Sequence, residues 1–447
     1  MSAKRLEGFP NRLSIAATLL MSMTLLAALS GTGYGPPVWW AGLSAWLAAA
    51  VLWTQVTRAQ RRQAILLAGI GLAAFGMALM RGVQPAWISL LTQNTALLGM
   101  LAAVSFLQLL GVSGESEARL PKGKRALWHT AAGVHLLGSV INLSAVFIMA
   151  ERIGPNGKPR LEQAALLARA YLAAALWSPF FAATAVALTY APGASPMKLT
   201  AAGTTLACVL VCLAARDIIR SSGDHAANFV GYPMHFTDFA IPGVLAMVVG
   251  AGHWLLPAWA TLSVISIASL AVACVTTVIR RGLLPASRAI SDHALHRLPG
   301  MAGEVVLFLA AGCFASGLSS LIATGGIWMP FSAFGVVEAA IVLAIMIVLA
   351  AIGIHTVISI TMAAAWLAPL HPEPTLLAMI FVQSWAIGLA AGPTSGTNLT
   401  IQGRYGIPAT ILARSNARYC LQAYCAAVLW LTIAGSVLEV RLLPSFL

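Results

Sequence analysis

Apolar runs of about 17 to 25 residues, separated by short polar or basic stretches, recur along the whole chain. Such runs predict bilayer-crossing helices at about 14–30, 38–56, 64–80, 86–110, 162–190, 199–214, 239–255, 258–279 and 301–323. A tenth begins near Leu376 and an eleventh covers about 409–437. Two further apolar stretches do not fit that count. Trp128–Met149 is interrupted by Gly138, Ser139, Asn142 and Ser144, and basic residues flank both ends (Lys124 and Arg125; Arg152, Lys158 and Arg160). A spanning helix would put one basic cluster outside, whereas a re-entrant hairpin turning near Ser139–Ser144 keeps both in the cytoplasm. Phe334–Leu370 has no basic residue at either end, is too long for one helix, and is interrupted near Gly353, His355, Ser359 and Thr361. The mirror of the same argument makes it a hairpin inserted from outside.

Two spans carry helix breakers where a continuous helix would not. Gly392, Pro393 and Gly396 stand together in the tenth span, with Thr394, Ser395, Thr397, Asn398 and Thr400 around them. Proline removes a backbone donor and clashes with the preceding turn; glycine loses the most entropy on ordering. Trp177-Ser-Pro-Phe-Phe-Ala-Ala-Thr184 interrupts the fifth span in the same way. Unwound backbone at membrane depth survives only inside protein or a polar cavity. The pattern predicts two broken helices at a binding site; a Pro kink repaired by nearby hydroxyls is the bland alternative.

Composition agrees with the pattern. The 447 residues are 59% hydrophobic and 9% charged, with mean hydropathy +0.86. Soluble domains run nearer a quarter charged. The expected fold class is therefore an all-α polytopic membrane protein, with about 11 transmembrane helices and two re-entrant hairpins. The net charge of +13 sits in short loops, which marks the cytoplasmic side and gives no reason to expect a nucleic-acid partner. Putting basic loops inside places the N-terminus in the cytoplasm and the C-terminus outside, in what we expect is a bacterial inner membrane. Phosphate-cradling G-x-x-x-x-G-K, H-E-x-x-H and C-x-x-C motifs are absent. Hence the chain is expected to be no enzyme, and to need no cofactor other than sodium as a coupling ion. Cys208 and Cys212 lie four apart without His or carboxylate in register, so they predict packing and not a metal site.

The two unusual regions repeat. Gly133-Val-His135 aligns with Gly353-Ile-His355, and Ser139 with Ser359, at an offset of 220 (355 − 135). Ser178–Thr184 aligns with Gly392–Asn398 at an offset of 214 (393 − 179). One copy opens inward and the other outward, an inverted repeat of the kind secondary transporters use around a midplane site. The expected domains are N-terminal scaffold spans (1–112), first hairpin and broken helix (113–198), further scaffold with basic inner loops (199–333), second hairpin and broken helix (334–408), and the last span (409–447).

This element order resembles the divalent-anion/sodium symporters (DASS) of the ion transporter superfamily, over about residues 120–437. That family carries Ser-Asn-Thr at its hairpin tips. Here the first tip reads Ser139-Val-Ile-Asn142-Leu-Ser144, the second (His355–Thr361) has no Asn, and Thr397-Asn398 is closer to the family's polar loops. The resemblance implies a sodium-coupled, elevator-like transporter whose scaffold forms a homodimer.

Candidate solute-binding residues are Ser139, Asn142, Ser144, Ser359, Thr361, Thr394, Ser395, Thr397 and Asn398. Candidate ligands of a coupling ion are Asn142, Ser178, Thr184, Ser395 and Asn398, since sodium wants hard oxygens. Neither motif holds Lys or Arg, so an anion would rely on helix N-termini and a bound cation. His135 and His355 are candidates for proton coupling, because a midplane histidine titrates near neutrality; a packing role is the plainer one. Arg81, Arg169, Asp238, Glu304 and Glu338 are the other intramembrane charges, and the span ends near them predict snorkelling. The leading expectation is a secondary transporter of a small anionic organic solute. A cation/proton antiporter, an inorganic oxyanion permease and a membrane-embedded enzyme follow in that order.

Overall fold

The computed structural model describes residues 10–84, 86–110, 120–234, 240–325 and 329–442. The apolar runs are helices. In chain order they are α1 (Pro10–Ser30), α2 (Trp39–Leu52), α3 (Arg58–Met80), α4 (Trp87–Thr92), α5 (Thr95–Ser105), α6 (Lys124–Ile141), α7 (Leu143–Ile153), α8 (Leu161–Ala173), α9 (Ala182–Tyr190) and α10 (Pro196–Ser222). They continue as α11 (Ala240–Leu255), α12 (Thr261–Arg281), α13 (Leu283–His296), α14 (Ala302–Ile322), α15 (Val336–Ala351), α16 (Thr356–Leu367), α17 (Pro374–Ala391), α18 (Gly396–Tyr405) and α19 (Ala409–Val437). Among the described residues eight helical stretches are long and apolar enough to cross a membrane, and four shorter apolar helices accompany them. The chain is an all-α polytopic membrane protein.

Its contacts divide into two units. The first holds Met1–Gly111 and Leu245–Ile327. Here α3 and α14 touch backbone to backbone: a Cβ on Gly317 would overlap the carbonyl oxygen of Gly71. Small residues at such a crossing let dispersion hold helices together in lipid. The expected continuous span at 86–110 is instead two helices, parted at Gln93–Asn94. Asn94, 2% exposed, donates from Nδ2 to the carbonyl of Phe308 (2.6 Å) on α14. A buried amide thus bridges the break to a neighbouring helix.

The second unit holds Val112–Val244 and Trp328–Leu447. The 199–333 segment, expected from sequence to be scaffold, divides here: its α10 packs in the unit that holds both hairpins, as does α19 of the last span. The first hairpin is α6 and α7, folded back at Asn142, whose φ is +54°. Its two ends return to one place. Gly123 N donates to Phe229 O (2.8 Å), and Gln163 Nε2 donates to both Ile153 O (3.1 Å) and Val230 O (3.2 Å). The start of α6 and the end of α7 therefore share the 229–231 strip. The second hairpin, α15 and α16, turns at Ile352–His355, where Gly353 takes φ +103°, a conformation that strains any residue with a Cβ. Phe331 before α15 and Trp366 near the end of α16 lie 6.3 Å apart, ring to ring.

α17 is the hub of this unit. It touches α8, α9, α10, α15, α16, α18 and α19, and 94% of the most apolar window in Pro374–Tyr405 is buried, against 33% for α19. At the break after α17, Gly392 and Ser395 are buried while Thr394 and Gly396 are exposed; unwound backbone is tolerated in a bilayer inside protein or along a polar cavity. α10 runs past the expected end at residue 214 through Arg216, Asp217 and Arg220 to Ser222. Asp217 is buried on that extension, and its partner, given below, is the reason.

Candidate functional site

The first break separates α8, with its closing 3-10 turn Ala174–Leu176, from α9. Each polar group there has a partner. The Ser178 hydroxyl donates to the carbonyl of Ser139 in the first hairpin and accepts from Phe180 N (3.2 Å). Thr184 Oγ1 donates to Ser178 O (2.7 Å). Trp177 Nε1 donates to His135 Nε2 (3.0 Å), so that nitrogen is the acceptor of a neutral ring. The ring proton therefore sits on Nδ1, 2.9 Å from the Ala170 carbonyl. With both nitrogens engaged, His135 staples hairpin to broken helix; a second proton would cost the Trp177 bond. α10 crosses close by, and a Cβ on Gly203 would overlap the Leu176 carbonyl oxygen.

The second break, Gly392–Ser395, separates α17 from α18. Thr394 Oγ1 donates to Gly353 O (3.0 Å), tying break to hairpin tip as Ser178 does in the first copy. Ser395 caps α18, its Oγ accepting from Asn398 N (3.2 Å). Asn398, fully buried, closes the end of α17: Nδ2 donates to Gly392 O (2.9 Å) and lies 3.4 and 3.5 Å from Leu389 O and Ala390 O. The carbonyls that the broken helix bares are thus met by one amide.

Not every polar atom at this break is matched, however. Asn398 Oδ1 and Thr356 Oγ1 are buried oxygens with no hydrogen-bond partner among the described residues. An unpaired buried polar atom costs on the order of 1–3 kcal/mol, so such atoms point to a bound water or ion. A cavity of about 10 Å³ lies beside the break, lined by His355, Thr356, Gly388, Thr394 and Ser395 among others. That is about one water sphere, enough for a water or a bare monatomic ion and too small for an organic solute. His355 caps α16 through Nδ1, accepting from Val357 N (3.2 Å), and its ring meets Trp385 edge-on at 6.4 Å.

The other residues singled out from sequence fall into two groups. Ser139, Ser359 and Thr361 donate their hydroxyls to carbonyls of their own helices, Leu136 O, Thr356 O and Ile358 O (2.7, 2.9 and 2.9 Å). Ser359 and Thr361 lie inside α16, past the tip, and not at the turn where the sequence repeat put them. Asn142 and Ser144, both half-buried, flank the first turn, and their side chains make no hydrogen bond with the described residues. Thr397, 6% exposed, is likewise unbonded beside Asn398.

The repeat itself needs a new register. His135 lies mid-helix, seven residues before the turn at Asn142, whereas His355 ends the turn at Gly353. Turn to turn the offset is 211 (353 − 142), close to the 214 between the two prolines. The Gly-x-His match at 220 aligned residues that do different work.

Arg169 departs from the expectation of a snorkelling residue. Eight residues into α8, about 12 Å along at 1.5 Å per residue, it is 1% exposed and held by four neighbours. Nη1 pairs with Asp217 (2.8 Å), Nε donates to Asn416 Oδ1 (2.7 Å), Nη2 donates to Ser415 O (2.8 Å), and the plane lies 5.1 Å over Tyr419. Asn416 Nδ2 in turn donates to Ala390 O (2.9 Å), two residues before the second break. The distance of Arg169 from the end of its span was the signal available in the sequence. Of the remaining charged residues in or near spans, Arg81 bonds Thr324 Oγ1 (3.0 Å) and Glu338 caps α15 through Gly335 N (2.9 Å). Glu304 is exposed in the first turn of α14, and Asp238 lies outside the described residues.

No protein-family profile and no curated protein matches the sequence. Among solved structures, the fold is similar to that of the YdaH transporter of Alcanivorax borkumensis, whose crystal structure is described as having an unusual topology. The TM-score is 0.56 at 16% identity, over 84% of this chain and 98% of that one. At that identity the likeness is one of fold.

Proposed function

We propose that this protein is a secondary active transporter of a small anionic organic solute, coupled to sodium and moving by an elevator-like alternation. The observation that carries the reading is the arrangement within one unit: two hairpins, each tied by a hydroxyl to a helix broken in its middle. Such breaks are where transporters of this architecture hold solute and ion. The likeness in fold to a transporter supports it. Sodium is favoured over protons because Thr356, Thr394 and Ser395 bring hydroxyls to the water-sized cavity at the second break, while His135 is already engaged at both nitrogens. Solute would lie against Asn142, Ser144 and Thr397, whose side chains remain unbonded. Placement beside the divalent-anion/sodium symporters, a bacterial inner-membrane location with the N-terminus inside, and a scaffold homodimer belong to the same reading.

The test is uptake of labelled carboxylates and sulfonates into proteoliposomes under a sodium gradient, a proton gradient or none. Accumulation should require sodium. Asn142→Ala, Thr397→Ala and Asn398→Ala should each lower the rate at least tenfold while protein of normal size-exclusion profile is recovered. Uptake that persists without any gradient, or in all three variants, refutes the reading. A requirement for protons that His355→Gln abolishes would favour the antiporter alternative.

A further inference from the structure

The second unit contains a much larger cavity that neither break touches. It measures about 940 Å³, within the span of roughly 300–1,000 Å³ usual for small-molecule sites. Arg160, His225 and Arg418 are exposed on its wall, and Arg169 and Asp217 are buried beneath them. The first turn of α8 also faces it, with Glu162 as the second lining carboxylate. Three guanidiniums therefore meet two carboxylates.

The pairing is uneven. Asp217 Oδ2 is taken by Arg169 at 2.8 Å, while Oδ1 lies 3.7 Å from Arg418 Nε, beyond a good hydrogen bond. Arg418, 64% exposed, thus has a carboxylate near it but not on it. Arg169 uses three of its five N–H groups on Asp217, Asn416 and Ser415. A planar guanidinium with donors to spare suits a carboxylate or phosphate better than any other side chain does.

We propose that this cavity is an oxyanion-binding site distinct from both breaks, with Arg418 as its principal ligand and Asp217 as a built-in competitor. A carboxylate or phosphate group entering the cavity takes the fork of Arg418 that Asp217 only approaches. Because Asn416 joins Arg169 to the Ala390 carbonyl, the floor of this site is one residue from the chain that leads into the second break. For a transporter of anions the site is a vestibule, but it stands on its own charges and not on the transport reading. Free anions and the headgroups of acidic lipids share this chemistry.

Isothermal titration calorimetry on the purified full-length protein in detergent at low salt tests it, with succinate, citrate, benzoate and inorganic phosphate as probes and phosphatidylglycerol micelles as a separate arm. At least one probe should bind. Arg418→Ala should weaken it tenfold or more, Arg418→Lys less, and Asp217→Asn should tighten it several-fold. Since Asp217→Asn removes the partner of a buried guanidinium and can unfold the protein, the exposed Arg418 variants suffice alone. Binding confined to phosphatidylglycerol and lost in Arg418→Ala keeps the site and assigns it to lipid. No binding by any probe, or binding unmoved by Arg418→Ala, overturns the proposal. Binding lost instead in Thr394→Ala places the anion at the second break, which overturns this site and leaves the transport reading standing.

Discussion

The two breaks share a plan and differ in how completely their hydrogen bonds are made. At the first, Trp177, Ser178, Thr184 and His135 satisfy one another and the bared carbonyls of Ser139 and Ala170. At the second, Asn398 and Thr394 meet carbonyls, yet Asn398 Oδ1 and Thr356 Oγ1 remain buried and unpaired among the described residues, and Thr356 lines a water-sized cavity. A saturated break is a structural joint. A break with spare oxygens retains the capacity to bind, because the desolvation of those oxygens is offset only when a ligand arrives. An interrupted membrane helix is therefore not by itself a site; in the function proposed above, the unpaired acceptors are what make it one.

The most severe way to break the comparison is through the first joint's packing. Gly203→Val puts a side chain into the Leu176 carbonyl, with backbone on both sides and nowhere to move. Overpacking of this kind costs about 1–3 kcal/mol or more, and we expect loss of monodisperse protein on size exclusion. At the second break Gly388→Ala meets the Cβ of Ala350 at 3.1 Å and Thr356 Oγ1 at 3.5 Å, both side-chain atoms, and should be recovered with a small loss.

A finer test exchanges hydroxyl for methyl at each break. Thr356→Val removes an unpaired oxygen, so stability should hold or rise while sodium affinity, read by the sodium dependence of thermal unfolding, falls at least tenfold. Thr184→Val removes a paired one and should cost about 1 kcal/mol with sodium affinity unchanged. The reverse result would exchange the roles of the two breaks. The smallest effect belongs to Trp177→Phe, which deletes one bond to His135 and should lower stability by about 1 kcal/mol, with uptake retained.

Much of this was legible in the chain. Pro179 and Pro393 located both breaks, and the basic flanks of Trp128–Met149 predicted a hairpin whose ends the 229–231 strip brings together, one through Gly123 and the other through Gln163. The hairpin tips were placed less well. Gly-x-His seemed a shared marker, but in one copy it is buried helix and in the other it is the turn, because short matches in an Ala- and Leu-rich chain carry little register. Asn94 gave no warning: a polar residue in a span reads alike whether it continues the helix or, as here, ends one by bonding a carbonyl of α14.

The sequence by itself determined what must be helical, what must lie in lipid and where the helices give way, since these depend on local hydropathy and on the backbone chemistry of proline and glycine. Only the tertiary structure decided which polar groups are paired. Arg169, Asp217 and Asn416 come from three helices, and Thr356 and Asn398 from two. Whether any of them is matched, and so structural, or left with a free oxygen or N–H, depends on distances between segments far apart in the chain, which no local pattern encodes.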